Sequence, residues 1–214
     1  TYEKQVSRSI PVRVKIKFME VSKNGNGAID WLFMRQACLH CSDAPCVELC
    51  PSNALFKNEF GFTEIDPSRC IGCGICEKFC PFGVPHVDYD TQKAKKCSFC
   101  WSRVTNGLEP ACVKSCPTGA LTFGDRQQLL DYAHQVMTQA KNGQMYLYGE
   151  REFGGLNVLY LLPEDPAVYG LPKHPQRPNP FEAYAALAES TMWSPIRNQA
   201  LTLAGLKYFG RIYV

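Results

Sequence analysis

The twelve cysteines among 214 residues are the side chains most able to do chemistry, and their spacing says which chemistry. Cys70 to Pro81 reads CIGCGICEKFCP, a C-x2-C-x2-C-x3-C-P run. Three thiols on so tight a loop can wrap three corners of a cubane. A fourth, leaving on a following helical turn, points away from it. This is the spacing of [4Fe–4S] binding, in which the fourth cysteine ligates a neighbouring cluster. Gly72 and Gly74 permit positive φ and let backbone N–H groups approach cluster sulfurs. Pro81 lacks an N–H and helps to end the local turn.

Two further groups flank this run. Cys38-x2-Cys41-x4-Cys46-x3-Cys50-Pro51 precedes it, and Cys97-x2-Cys100-x11-Cys112-x3-Cys116-Pro117 follows. Both carry an insertion before the third cysteine and both end C-x3-C-P. The residues after them also repeat, since Cys50-Pro51-Ser52-Asn53-Ala54-Leu55-Phe56 parallels Cys116-Pro117-Thr118-Gly119-Ala120-Leu121-Thr122-Phe123. Such self-similarity marks reused ferredoxin half-modules. By the crossing rule, Cys38, Cys41 and Cys46 take Cys80 as fourth ligand, and Cys70, Cys73 and Cys76 take Cys50. The third group has no partner. It either closes one cluster with its own Cys116, or is half of a second pair whose partner quartet lies upstream of Thr1. In the second case Cys116 leaves for a fourth cluster. The expectation is at least three [4Fe–4S] clusters, with a fourth if N-terminal ligands exist. Thr1 is not a start methionine and no signal peptide is visible, which points to processing or to an N-terminal segment outside this sequence.

Other uses of cysteine fit less well. Disulfide scaffolds are short secreted chains, and zinc sites favour separated C-x2-C pairs. No C-x-x-C-H is present for covalent haem. His40 lies between two of the cysteines and suits a hydrogen-bonding or solvent-facing role better than ligation, because the quartets are already complete in cysteine. His86, His134 and His174 are isolated. Lys57, Arg69, Lys78, Lys93, Lys95, Lys96, Arg103 and Lys114 lie near the cysteine groups, as ordinary solvated charges or as groups that offset cluster charge. The net charge of +3 is bland, and no basic run or motif suggests nucleic acid. The sequence has no G-x-G-x-x-G, Walker, G-x-S-x-G or H-E-x-x-H motif. A chain with several clusters and no substrate chemistry is a conductor rather than an enzyme by itself.

The elements that must position these thiols give an α+β class. Val12, Val14, Ile16 and Phe18 alternate as the apolar side of a half-buried strand, Asn24 to Gly27 turns, and Ala28 to Phe33 returns. Residues 1–37 are thus N-terminal strands and a hairpin. Residues 38–96 form a two-cluster ferredoxin module and 97–124 a second half-module. Residues 125–162 supply a packing helix, capped by Asp125 with Leu129, Leu130, Ala133, Val136, Met137 and Ala140 on one face and Gly143 beyond its end, and a strand over Asn157 to Leu162. Residues 163–214 begin with six prolines between Pro163 and Pro180, an extended arm with little core of its own. A helix follows over Phe181 to Ser190. Trp193 to Val214 is too charged for a membrane span and suits partner or interfacial docking, or plain packing.

The segments CIGCGICEKFCPF and RVTNGLEPACVKSCPTGALTFGD resemble the iron–sulfur β subunits of membrane-bound molybdenum or tungsten oxidoreductase complexes. Formate dehydrogenase, polysulfide reductase, hydrogenase and quinone reductase subunits share them, and the resemblance runs from about Ala28 to Pro172. It implies ferredoxin-like modules holding a wire of clusters between a molybdopterin-type large subunit and an integral membrane quinone- or haem-binding subunit. It further implies that Cys38, Cys41, Cys46 and Cys80 hold one cluster, Cys70, Cys73, Cys76 and Cys50 another, and that Cys97, Cys100 and Cys112 belong to a third. The family's first cysteine group is absent from this sequence. A membrane-associated place on the periplasmic face is implied, with the cytoplasmic face as the alternative. A soluble polyferredoxin carrier is the competing class, and a structural zinc protein the third.

Overall fold

Each cysteine group folds as a loop closed by a single helical turn, and the third cysteine of each group is the second residue of that turn. In the computed structural model, which describes residues 13–23, 28–88, 90–140 and 145–189, these turns are α1 (Pro45–Glu48), α2 (Ile75–Lys78) and α4 (Ala111–Lys114). The eleven-residue spacer between Cys100 and Cys112 contributes an additional turn, α3 (Trp101–Val104). The C-x3-C step then drops the fourth cysteine just beyond the turn, where Cys-Pro prevents the helix from continuing.

A short antiparallel hairpin follows each of the first two groups. β3 (Leu55–Lys57) pairs with β4 (Thr63–Ile65), and β5 (His86–Asp88) with β6 (Lys93–Lys95). This is the repeated half-module of a ferredoxin-like α+β fold. The third group departs from the repeat, since 120–123 are not strand. Sequence similarity after the Cys-Pro step therefore marks the loop and not the hairpin.

The long N-terminal hairpin differs from its expected arrangement. β1 (Lys15–Lys23) and β2 (Ala28–Gln36) are antiparallel with Phe18 opposite Phe33 and Met19 opposite Leu32. Met34 is buried, with Met19 and Leu32 packed beside it. Ile16 and Phe18, expected on the buried side, are exposed with Ile29, Trp31 and Phe33, the last two 62% exposed. Both faces carry apolar residues, so alternation alone could not say which faced inward. The turn at 24–27 lies outside the described residues.

The core closes over the back of the first cysteine group. Met34, Leu39, Tyr148, Phe153, Leu156, Leu162, Tyr169 and Leu171 form one buried cluster. It draws on β7 (Tyr146–Tyr148) and β8 (Tyr160–Leu162), which pair antiparallel. The expected strand over Asn157 to Leu162 is thus shorter at its start, because Asn157 is used elsewhere: its side-chain amide donates to the His40 carbonyl at 2.8 Å. α5 (Arg126–Gln139) starts as expected, with the Asp125 carboxylate accepting from the N–H groups of Gln127 and Gln128. Leu130 and Ala133 bury its inner face. Gly143 lies outside the described residues.

The proline-rich arm folds back onto its own chain. Tyr169 and Leu171 enter the main core, and the Tyr148 hydroxyl donates to the Pro172 carbonyl at 2.8 Å. Arg177 reaches Asp43 at 2.7 Å and Glu48 at 2.8 Å. α6 (Pro180–Glu189) buries Ala183 against Leu49 and Ile75, and the Tyr184 hydroxyl donates to the Leu49 carbonyl at 3.0 Å. The arm therefore braces the first two cysteine groups instead of extending away from them, and it does contribute to the core. Among the described residues, no helix is long and apolar enough to cross a membrane. Trp193 to Val214 lies outside them. Leu156, fully buried, is the centre of this core, so Leu156→Ala is expected to cost about 2–5 kcal/mol. A scan of thermal unfolding checks it, and an unchanged midpoint would contradict the burial.

Candidate metal centres

All twelve thiols are free, and the fold gathers eight of them into two sets drawn crosswise from two groups. Burial pushes the Cys41 thiol up to about 12, and the next influences in the same direction are Cys38 and Cys80. Cys46 is pushed up by burial and then by the same Cys38 and Cys80. Cys80 thus stands with the first group although its sequence neighbours belong to the second. For the other set, burial raises Cys73 to about 11, with Cys50 and Cys70 adding to it. Cys76 is raised by burial, then by Cys73, Cys46, Cys50 and Cys70. Cys46 and Cys76 pack against the same buried cluster, which contains Cys50 and Cys70, so the two sets lie close together.

One small cavity has Cys50, Cys70, Cys73 and Cys76 in its wall, with Ile71 and Ile75 supplying apolar lining. Its loop geometry depends on Gly72, at φ 69°. A Cβ there would lie 2.5 Å from the Gln92 carbonyl oxygen. Gly74, at φ 76°, has open space in the same test. The Ala94 N–H donates to Cys70 Sγ at 3.3 Å, and Lys93 Nζ donates to the Cys70 carbonyl at 2.6 Å.

The cysteines after the helical turns share a further device. Backbone N–H groups of Val84, Phe82 and Gly83 act on Cys80 against the effect of its burial. The Thr118 hydroxyl, then the N–H of Leu121, hold Cys116 down to about 7, with Thr118 Oγ1 3.4 Å from Cys116 Sγ. A ring of donors around a sulfur favours the thiolate that a metal needs. The groups acting most strongly on Cys116 all belong to its own loop. In the third group, Cys97 is buried and accepts from Phe99 N–H at 3.4 Å and from Arg35 Nη2 at 3.5 Å. Cys100 accepts from Ala111 N–H at 3.4 Å, which ties it to the turn that carries Cys112. The thiol acting on Cys97 is Cys38 of the first set.

These residues fit an iron–sulfur group. Several buried thiols crowded together cannot ionise in apolar surroundings unless a cationic partner holds them, and clustered iron is such a partner. Orphaned polar atoms point the same way. His40 is completely buried, and neither ring nitrogen has a hydrogen-bond partner among the described residues; Arg35 Nε and Thr63 Oγ1 share that condition. His40 is packed edge-on against Phe99 at 4.9 Å and Phe62 at 6.1 Å, so it does not face solvent. Burial, then Lys96, Lys57 and Arg35, hold its pKa well below the ordinary value, which keeps the ring neutral.

The remaining expectations divide. His86 and His134 pair at 3.1 Å with Glu77 and Glu150 respectively, and His174 is exposed. Of the eight cations, Lys57, Lys93 and Lys96 donate to backbone carbonyls of cysteines: Cys41, Cys70 and Cys97 respectively. Lys95 instead pairs with Asp88, Lys78 lies 5.8 Å over Phe79, and Arg103 donates to Glu109 O at 2.8 Å. Sequence reasoning missed Arg35, whose only signal is its place three residues ahead of Cys38.

Two interlocked thiol sets carried by repeated loop, turn and hairpin units define a ferredoxin-like protein for 4Fe–4S clusters. Residues 29–126 match the 4Fe–4S dicluster domain family. The chain is 38% identical over 168 residues to the nitrate-inducible formate dehydrogenase iron-sulfur subunit of Escherichia coli (strain K12), covering 75% of this chain and 56% of that one. It is 37% identical over 147 residues to the thiosulfate reductase electron transfer subunit PhsB of Salmonella typhi, covering 65% of this chain and 77% of that one. It is also 35% identical over 182 residues to the formate dehydrogenase iron-sulfur subunit of Haemophilus influenzae, covering 82% and 58%. The chain belongs to the family of 4Fe–4S electron-transfer subunits of oxidoreductase complexes, and it spans little more than half the length of the formate dehydrogenase relatives it matches.

The two glycines separate local strain from open space. Gly72→Ala is expected to lower iron by about four per chain, one [4Fe–4S] complement, while Gly74→Ala keeps its iron and loses only the left-handed cost of about 1–2 kcal/mol. Iron analysis of the two purified variants checks this; equal iron in both would remove the role given to the Gly72 contact.

Proposed function

We propose that this chain relays electrons through clusters held by Cys38, Cys41, Cys46 and Cys80, and by Cys70, Cys73, Cys76 and Cys50, with Cys97, Cys100 and Cys112 contributing to a third. The observation that carries the reading is that Cys50, from the first group, lines one cavity together with Cys70, Cys73 and Cys76 of the second. When bound, the clusters supply one-electron exchange with little change in structure. The chain's own residues do the rest. Burial excludes water from the thiols, N–H groups aimed at Cys70, Cys80 and Cys97 stabilise the negative sulfurs, and the closeness of Cys46 to Cys76 shortens the gap to be crossed. Cys116, whose sulfur accepts from its own loop, either closes the third set or leaves for a fourth cluster whose other ligands lie upstream of Thr1.

The partners fit the same reading: a molybdopterin-type catalytic subunit at one end and an integral membrane quinone- or haem-binding subunit at the other. The names of the relatives, formate dehydrogenase and thiosulfate reductase subunits, support it. So does the row of exposed apolar side chains on the N-terminal hairpin, from Ile16 to Phe33, because contiguous patches of this kind mark interaction surfaces. A place on a membrane, on its periplasmic face, belongs to this reading, and a diffusible polyferredoxin is the competing one.

Cys73→Ala tests the relay. It is expected to lose the cluster of the second set and to uncouple donor from acceptor in the assembled complex, measured as substrate-driven reduction of the terminal acceptor. Electron transfer at the wild-type rate in a variant lacking that cluster would contradict the assignment.

A further inference from the structure

Lys96 is a long cationic side chain, and it is only 5% exposed. Residues of this type are almost never fully buried unless they are paired. Its ammonium donates to two backbone carbonyls, Thr63 O and, at 2.9 Å, Cys97 O. Carbonyls satisfy its hydrogen bonds but do not cancel its charge. Thr63 follows Phe62, which packs 6.1 Å from the His40 ring between Cys38 and Cys41, so one bond of the ammonium is made beside the first group's loop and the other at Cys97. Lys96 therefore sits between the first thiol set and the third cysteine group.

A second cation stands at the same gap. Arg35, at the end of β2, donates through Nη2 to Cys97 Sγ at 3.5 Å, and its Nε is buried with no partner among the described residues. It is held in place through its backbone, where the Tyr160 hydroxyl donates to the Arg35 carbonyl. His40, between Cys38 and Cys41, packs edge-on against Phe62, beside Thr63, and against Phe99, two residues beyond Cys97. The space joining the first group to Cys97 is thus flanked by Lys96, Arg35 and the buried His40 ring, with Lys57 on the first group's side at the Cys41 carbonyl. The second set has a different environment. Its nearby lysine, Lys93, is directed at the Cys70 carbonyl and is half-buried.

We propose that Lys96 and Arg35 form a cationic bridge between the first thiol set and Cys97, raising the reduction potentials of the two clusters those thiols hold above that of the cluster on Cys50, Cys70, Cys73 and Cys76. This rests on the cluster reading given above. The physics is direct. Each reduction adds one electron, so the reduced site is one unit more negative than the oxidised one. A fixed positive charge in a poorly screened interior stabilises the reduced form more. No proton need move, and guanidinium does not titrate in proteins. The bridge makes the first and third positions the places where an electron rests, and the second set the uphill step. Lys96 and Arg35 are positioning and tuning groups, not ligands.

The test is a potentiometric titration of the cluster-loaded protein, followed by electron paramagnetic resonance, with the second set's signal assigned by its loss in Cys73→Ala. Lys96→Met removes the charge at nearly constant length. It is expected to lower the reduction constants of the first and third clusters about tenfold, which is about 59 mV for a one-electron couple, and to leave the second unchanged. Lys96→Arg is expected to restore most of the loss. Unshifted potentials with full iron, or an equal shift of all clusters, would overturn the proposal. If Lys96→Met fails to load iron, Arg35→Gln decides instead: a fall in the first and third clusters with the second unchanged supports the bridge, and a fall confined to one cluster, shared by all three, or absent overturns it. Wild-type protein without iron would instead overturn the cluster reading itself, so the two failures are distinguishable.

Discussion

Everything in this structure depends on bringing negatively charged sulfur into a place where it would not otherwise ionise. Eight thiols drawn from two groups are packed together, and burial, with repulsion between neighbouring sulfurs, pushes the pKa values of Cys41, Cys46, Cys73, Cys76 and Cys80 up. Such an arrangement is unfavourable as bare protein, and metal binding is what makes it favourable, so that binding energy becomes folding energy. The surrounding elements are small for this reason. The helical turns span four residues, and the ferredoxin hairpins pair only three residues per strand. Neither would persist alone.

The core then appears as a brace for the loops. Leu39 lies between the first two cysteines and is buried in the main cluster with Tyr148, Leu156 and Leu171. The arm from Pro163 returns to this cluster, and Arg177 and Tyr184 fasten it to the α1 region. Sequence elements distant from the thiols thereby fix the path of the first group. Charge is arranged as carefully as packing. Lys57, Lys93 and Lys96 meet backbone carbonyls of cysteines and not their sulfurs, which holds cations near the sites without consuming thiol lone pairs.

Much of the site was legible in the sequence, because cluster ligation is written in fixed spacings. The x2, x2, x3 steps and the Cys-Pro endings marked every thiol as a candidate ligand, and the exchange of Cys50 and Cys80 that they lead one to expect is part of the reading proposed above. Asp125 as a helix cap and the inner face of α5 were equally readable, since capping and helical period are local. What escaped depends on long-range packing. Ile16 and Phe18 alternate as a buried face should, yet the hairpin turns them outward because Met34 and Leu32 offer the core a competing face. The prolines after Pro163 suggested an arm without a core of its own, but Tyr169 and Leu171 supply one once the arm folds back. The buried state of His40 had no sequence signature and Arg35 only its place three residues ahead of Cys38, since both follow from the meeting of β2 with the loop around Cys97.

The central claim is that fourth cysteines are exchanged between the first two groups. Iron per chain in the double variant Cys73→Ala with Cys80→Ala tests it most directly. Under exchange the two substitutions strike different quartets, and the account predicts the loss of two cluster complements, about eight irons. If Cys70, Cys73, Cys76 and Cys80 instead served one cluster, the double variant would lose no more than the Cys73→Ala single variant, about four irons. That result would contradict the account.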